Sequence, residues 1–230
     1  MKTALFDLDG TLIDSLEDIA LGINLTRQDF GLAMLPTAEI ITYIGEGISL
    51  LIQRSIPELA ATHMPQLRER QKINYVAHNL DHTVLYPGMK EALFAMRAAG
   101  WTLGVLTNKP GPYVRPILEG LGVWNCFAGV IGGGDCEKLK PDPLPMHLLA
   151  ERMGVTLDAN DWMIGDHFTD MEAGKNANIK TCFCRWGIGS LAESSYTVAI
   201  DKPLDLLKVL GISSILEPQN PQKSTKEKLD

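Results

Sequence analysis

From residue 86 onward, short apolar runs alternate with amphipathic stretches, and this alternation leaves the chain few folds to choose from. After Tyr86-Pro87-Gly88 the spacing predicts a helix over Met89 to Ala99 with Gly100 at C′, then a strand over Trp101 to Leu106. There follow a helix from about Pro112 to Leu121, a strand around Val130-Ile131, a helix over Leu144 to Met153 and a strand at Trp162-Met163-Ile164. A helix over Asp170 to Ala177 and a strand over Lys180 to Cys184 complete the series. Strand and helix in turn imply a Rossmann-like α/β fold, a parallel sheet with helices on both faces.

The beginning of the chain breaks that rhythm. Leu5 to Leu8 is an apolar run interrupted by Asp7 and followed by Gly10, which suits a buried strand ending in a turn. From Ser15, a predicted N-cap, Leu16, Ile19, Ala20 and Ile23 take helical spacing with Glu17 and Asp18 in the first turn. Helical signals continue to about residue 82, through Ile48, Leu51 and Ile52 and a polar helix from about Pro65 to His78, with no strand among them. The block reads as a small all-α cap, residues 15–83, inserted into a core made of 1–14 and 84–213. The hinges fall near Ile13-Asp14-Ser15 and His82 to Pro87. Beyond Glu217 almost nothing is apolar, so 214–230 is expected to be a disordered tail.

A chain of 230 residues, 45% hydrophobic, can bury a full core. Its formal charge of -7 argues against nucleic acid and anionic membranes as partners, because no basic stripe is available to displace counterions. A phosphate-bearing ligand would then need a local cation or aimed backbone N–H groups. The start reaches Asp7 too soon for a signal peptide, and no uncharged run is long enough to span a bilayer. Cys126, Cys136, Cys182 and Cys184 lack paired spacing and read as reduced thiols, with a cytoplasmic location as the expectation.

Asp7, Thr107, Lys140 and Asp166 lie at or just beyond four predicted strands, the edge where open parallel sheets place ligands. Asp7 and Asp9 are two apart, so both can face one space while Leu8 turns into the core. Asp7 is the candidate nucleophile and Asp9 the acid-base group, with an Asp-rich turn as the plainer reading. Gly10 and Thr11 shape the turn after them and join the candidate substrate-binding set. Thr107 and Asn108 offer donors to a phosphate or substrate, against the plainer role of an N-cap. Lys140, fixed by Pro141, can neutralise a carboxylate and a phosphate together, or be a surface lysine before a helix. Asp166 and Asp170 are four apart; Asp166 would ligate Mg²⁺ directly, and Asp170 would steer its waters or buttress Lys140, unless it serves only as a first-turn acid.

The ordered strings Asp7-Leu8-Asp9-Gly10-Thr11-Leu12, Thr107-Asn108, Lys140-Pro141 and Gly165-Asp166 with Asp170 resemble the four motifs of the haloacid dehalogenase superfamily. The resemblance covers about residues 1 to 210. It implies Asp7 as nucleophile, Asp9 as acid-base, Thr107 and Lys140 as phosphate binders, and Asp7, the Asp9 backbone carbonyl and Asp166 as magnesium ligands. An inserted helical cap, together with Tyr43-Ile44-Gly45-Glu46-Gly47, Tyr86-Pro87-Gly88 and Leu106 to Pro110, is similar to the phosphoglycolate phosphatase-like group. Such caps present a loop to the leaving group, and Gly45, Glu46 and Gly47 are the candidates here. Two residues depart from that pattern: Glu46, whose charge would disfavour a carboxylate-bearing substrate, and His167, read as a bystander or a metal-water contact.

The implied activity is magnesium-dependent hydrolysis of a small phosphorylated metabolite through an aspartyl phosphate, in a monomer or homodimer. Other readings of the same residues are a sugar phosphatase or pyrophosphatase, a phosphomutase, and a phospho-accepting signalling domain. The inserted block argues against the last. A dehalogenase needs neither Asp9 nor a metal.

Overall fold

The computed structural model of the chain describes residues 2–212; the expected tail at 214–230 lies outside the described residues. Strand β1 (Lys2–Phe6) is central because both its faces are apolar, with Ala4, Leu5 and Phe6 fully buried. It pairs in parallel with β4 (Trp101–Pro110) on one side and with β6 (Trp162–Gly165) on the other. With β5 (Gly129–Gly133), β7 (Lys180–Cys184) and β8 (Val198–Ile200) the sheet has six strands in the order β5-β4-β1-β6-β7-β8. Every pairing is parallel.

Alternate side chains fall into separate cores, as the two-residue period requires. Ala4, Phe6, Leu103 and Val105 pack under α5 (Met89–Ala98), α6 (Gly111–Gly120) and α9 (Asp205–Val209). Leu5, Leu106, Ile131 and Met163 pack under α7 (Leu144–Met153) and α8 (Phe168–Asn176). Cys182 and Cys184 point to one side and are free and buried, and Cys126 and Cys136 are free as well. Among the described residues no helix is long and apolar enough to cross a membrane.

Between β1 and β4 the chain leaves the sheet through the two-residue strand β2 (Ile13–Asp14) and returns through its antiparallel partner β3 (Val84–Leu85). The intervening helices are α1 (Leu16–Asp29), α2 (Thr37–Ile41), α3 (Ile48–Ser55) and α4 (Pro57–His78). They share an apolar centre of Ile23, Ile40, Ile52, Ile56 and Leu67. At Gly22 a Cβ would stand 3.2 Å from Tyr75 Cβ, so glycine lets α1 and α4 approach closely. The polar helix expected from about Pro65 to His78 forms the second part of α4: a break at His63 (φ -126°, ψ 17°) separates it from a short helical segment that starts at Pro57, and Pro65 falls in its first turn, where no N–H is needed.

Asp18 ties the return leg down. Fully buried in α1, it accepts bonds from His82 N (3.0 Å), Thr83 N (2.8 Å) and Thr83 Oγ1 (2.6 Å). Ser15 stands at the N-cap position but its hydroxyl makes no cap bond; it turns to Asp9 instead.

Candidate active site

Asp7 follows β1, with its N–H bonded to Ile164 O at 2.9 Å, and Asp166 follows β6. Thr107 lies in β4 where the pairing with β5 shifts register between Leu106 and Pro110, and Lys140 sits in the loop after β5. All four meet at the carboxyl edge beside β1, where the strand order reverses. The strand expected to stop at Leu106 runs to Pro110, and its irregular end turns Thr107, Asn108 and Lys109 towards this edge.

Carboxylate oxygens of Asp7, Asp166 and Asp170, all buried, lie within 4.8 Å of one another. Lys140 Nζ donates to Asp170 Oδ1 at 2.6 Å and stands 2.8 Å from Asp7 Oδ1. The second contact pairs charge but is out of line for a hydrogen bond, so Asp7 Oδ1 is buried with no donor among the described residues. Asp166 is fixed by Thr11 Oγ1 (2.8 Å), Ile188 N (3.0 Å) and Gly189 N (2.8 Å).

Three carboxylates against one ammonium leave negative charge in excess in a buried place. Burial, then Asp7 and Asp170, push the Asp166 carboxyl up to about 7. Burial and the neighbouring acids likewise raise Asp7 to about 6, against the pull of Lys140. Burial alone would lower Lys140, but Asp170 and Asp7 hold it above its ordinary value. An orphaned carboxylate oxygen among hard oxygen donors, with one cation too few, fits Mg²⁺.

Several of the expected residues have partners that the sequence did not show. The Asp9 carboxylate lies outside the acidic cluster, because Ser15 Oγ (2.6 Å) and the buried Lys109 Nζ (2.8 and 3.1 Å) hold both its oxygens. Gly10 and Thr11 serve Asp166 rather than the cavity: a Cβ at Gly10 (φ +83°) would come within 2.2 Å of Asp166 Oδ2. The Asn108 amide is spent on Gly45 O (3.0 Å), Lys140 O (3.1 Å) and Lys140 N (2.9 Å), tying the Gly45 loop to the lysine loop. Gly45 and Gly47 line the cavity, whereas Glu46 pairs with Arg54 at 2.6 Å. His167 caps α8 through Thr169 N, and its ring lies under Gly45, where a Cβ would be 3.0 Å away. Asp170 completes that cap by accepting His167 N at 3.0 Å.

Other residues of the site gave no local signal. Lys109 holds Asp9 and lies 4.6 Å from the Tyr75 ring centre; burial opposes its charge, but Asp9 more than restores it. Gly187 and Gly189 let the loop after β7 close on Asp166: a Cβ at Gly187 would meet Asp166 Cβ at 2.2 Å. A cavity of about 60 Å³ opens over Asp7, Asp9, Thr107 and Lys109, roofed by Ile44, Ile48 and Leu51 from the helical insert and flanked by Gln71 and Tyr75 of α4.

Residues 4–184 match the family described as haloacid dehalogenase-like hydrolase. The chain is 35% identical over 193 residues to a phosphoglycolate phosphatase from Colwellia psychrerythraea, covering 81% of this chain and 85% of that one. It is 32% identical over 216 residues to the phosphoglycolate phosphatase of Haemophilus influenzae, covering 89% and 96%. A crystal structure described as a predicted phosphoglycolate phosphatase from Haemophilus somnus superposes with a TM-score of 0.84 at 30% identity, over 91% of this chain and 97% of that one.

Proposed function

This chain belongs to the haloacid dehalogenase-like hydrolases, and from that footing we propose that it hydrolyses a small phosphate monoester through a phosphoryl group carried on Asp7, with Mg²⁺ as cofactor. Phosphoglycolate is the first substrate to test, being the one the curated relatives are named for. The observation that carries the reading is Asp7 itself. It lies at the floor of the cavity, beside Lys140, with one oxygen free of any hydrogen-bond donor among the described residues. A carboxylate that lines the cavity, with an ammonium 2.8 Å away to offset charge as it approaches a phosphate, is suited to attack phosphorus.

In the first half-reaction an Asp7 oxygen bonds to phosphorus and the ester P–O bond breaks, while Asp9 gives its proton to the leaving alcohol. In the second, Asp9 takes a proton from water, the water oxygen bonds to phosphorus, and the bond to Asp7 breaks, restoring the carboxylate and releasing inorganic phosphate. Thr107 and the Lys140 ammonium hold the phosphoryl oxygens. Asp7, Asp166 and the Asp9 carbonyl would hold Mg²⁺, which supplies positive charge against the phosphoryl group; Asp170 keeps Lys140 in place. Lys109 and Ser15 orient Asp9. The helical insert, residues 15–83, is the cap: its roof over the cavity excludes water from the reacting centre.

The test is phosphate release from a panel of small esters with magnesium present. Asp7→Asn is expected to reduce turnover at least about a thousandfold while leaving the far-ultraviolet circular dichroism unchanged. Retained turnover in that variant rules the mechanism out. A panel in which the phosphoryl group only moves from one substrate hydroxyl to another, with no net release, makes the protein a mutase.

A further inference from the structure

Gln71 and Tyr75 are four residues apart on α4 and therefore project from one face of it. Each is 2% exposed. Both line the cavity above Asp7 and Asp9. Gln71 Oε1 has no hydrogen-bond partner among the described residues, and the Tyr75 O–H has no acceptor there, since its polar neighbour Lys109 can only donate. Buried polar atoms are normally paired, and a neighbouring pair left open on the wall of one cavity marks a place where a ligand completes the bonding. Tyr75 is also fixed there: its backbone packs on Gly22, its ring lies 5.3 Å from that of Tyr113, and Lys109 Nζ stands over its face. The rest of the wall from the cap, Ile19, Ile44, Ile48 and Leu51 with Gly45 and Gly47, offers no polar side-chain atom.

We propose that Gln71 and Tyr75 are the specificity residues of the site and grip an oxygen-bearing terminus of the leaving group, a carboxylate or a hydroxyl at the end away from phosphorus. The proposal rests on the phosphomonoester reading above and adds to it the class of leaving group. The Tyr75 O–H donates to that oxygen. Gln71 accepts from a hydroxyl through Oε1, or donates to a carboxylate after a half-turn of its amide. Glu46 does not oppose the carboxylate, since its own charge is matched by Arg54 and it stands off the cavity wall. A leaving group ending in a methyl would abandon both open groups and is rejected for that reason.

Three esters with a two-carbon leaving group separate the possibilities: phosphoglycolate, 2-hydroxyethyl phosphate and ethyl phosphate, which lacks only the terminal oxygen. Their affinities are measured by calorimetry with magnesium on the Asp7→Asn protein, so that binding is read without turnover, and then with Tyr75→Phe or Gln71→Met added. At least one of the two oxygen-bearing esters is expected to bind about tenfold or more tightly than ethyl phosphate, and either added substitution should lower that preference about tenfold. The larger preference tells carboxylate from hydroxyl. If all three esters bind alike, or if both substitutions leave the preference intact in protein whose melting curve is unchanged, the proposal is overturned. Should Asp7→Asn show the preference while the wild-type protein releases phosphate from none of the esters, the hydrolase mechanism fails and the assignment of Gln71 and Tyr75 stands.

Discussion

Asp166 is secured by donors drawn from two remote segments, Thr11 on one side and Ile188 and Gly189 on the other, yet among the described residues its carboxylate forms no ion pair with a cation. Its carboxyl at about 7 and that of Asp7 at about 6 are raised above the ordinary carboxylate value, so the metal-free folded state retains protons that the unfolded chain has lost. The stabilising contribution is complete below about pH 4 and is lost as pH rises through 6 and 7. Metal-free protein is thus expected to melt at falling temperature between pH 5 and about 7.5, with Mg²⁺ restoring the melting temperature at the upper end. Asp166→Asn should flatten the pH dependence and abolish the magnesium shift; a melting curve that ignores magnesium in the wild-type protein would contradict the cation site. At this scale the sequence was readable where a polar residue interrupts or follows an apolar strand, which is why Asp7, Thr107, Lys140 and Asp166 stood out. The roles of Lys109, Gln71 and Tyr75 did not, since what each faces lies far along the chain: Lys109 reaches Asp9 across 100 positions, and Gln71 and Tyr75 meet the cavity only once α4 is packed over it. The Asp9 carboxylate lines the cavity with Asp7, but its buried lysine partner could not be foreseen.

Helices and strands were legible where period and punctuation agreed. The helix at Leu144–Met153 and the strand at Lys180–Cys184 end where expected, with Gly154 in the left-handed region closing the first. Boundaries moved where tertiary partners intervened. Helix α8 begins at Phe168 because His167 and Asp170 cap it reciprocally, and β4 continues past Leu106 because Pro110 rejoins β5 at Gly133. The two-residue ribbon of β2 and β3 carried too few residues to show a period. The contact of α1 with α4 depends on a single missing side chain. Gly22→Val would place new atoms on a Cβ already 3.2 Å from Tyr75 Cβ and 3.3 Å from Tyr75 Cα. We expect it to lower stability by about 2 kcal/mol, seen as a lower urea midpoint with an unchanged slope. An unaltered midpoint would mean that the helices part without cost.

The whole molecule carries one continuous apolar core from the sheet into the cap: Phe6 and Val105 belong to the same cluster as Ile13, Ile19, Ile52 and Leu67. Its four tryptophans, Trp101, Trp124, Trp162 and Trp186, all lie outside residues 15–83. Fluorescence therefore reports the sheet domain, whereas far-ultraviolet circular dichroism reports both parts. The shared core predicts coincident urea transitions by the two probes; a dichroism change preceding the fluorescence change would show the cap melting on its own. The alternating fold was legible at this scale because so much of the chain repeats one pattern. The cavity between cap and sheet was not, since it exists only once the two are folded together.

The cap departs from the sheet at Ile13–Asp14 and comes back at Val84–Leu85, and these two legs are hydrogen-bonded to each other. To the rest of the polypeptide the whole excursion is a detour whose ends already touch. Lengthening, shortening or exchanging it changes little in the closure entropy of the framework, which grows only with the logarithm of loop length. On the proposed function, the groups at the sheet edge can accordingly be kept while the surface facing them is redrawn, so substrate preference and bond cleavage would be free to vary separately in this chain.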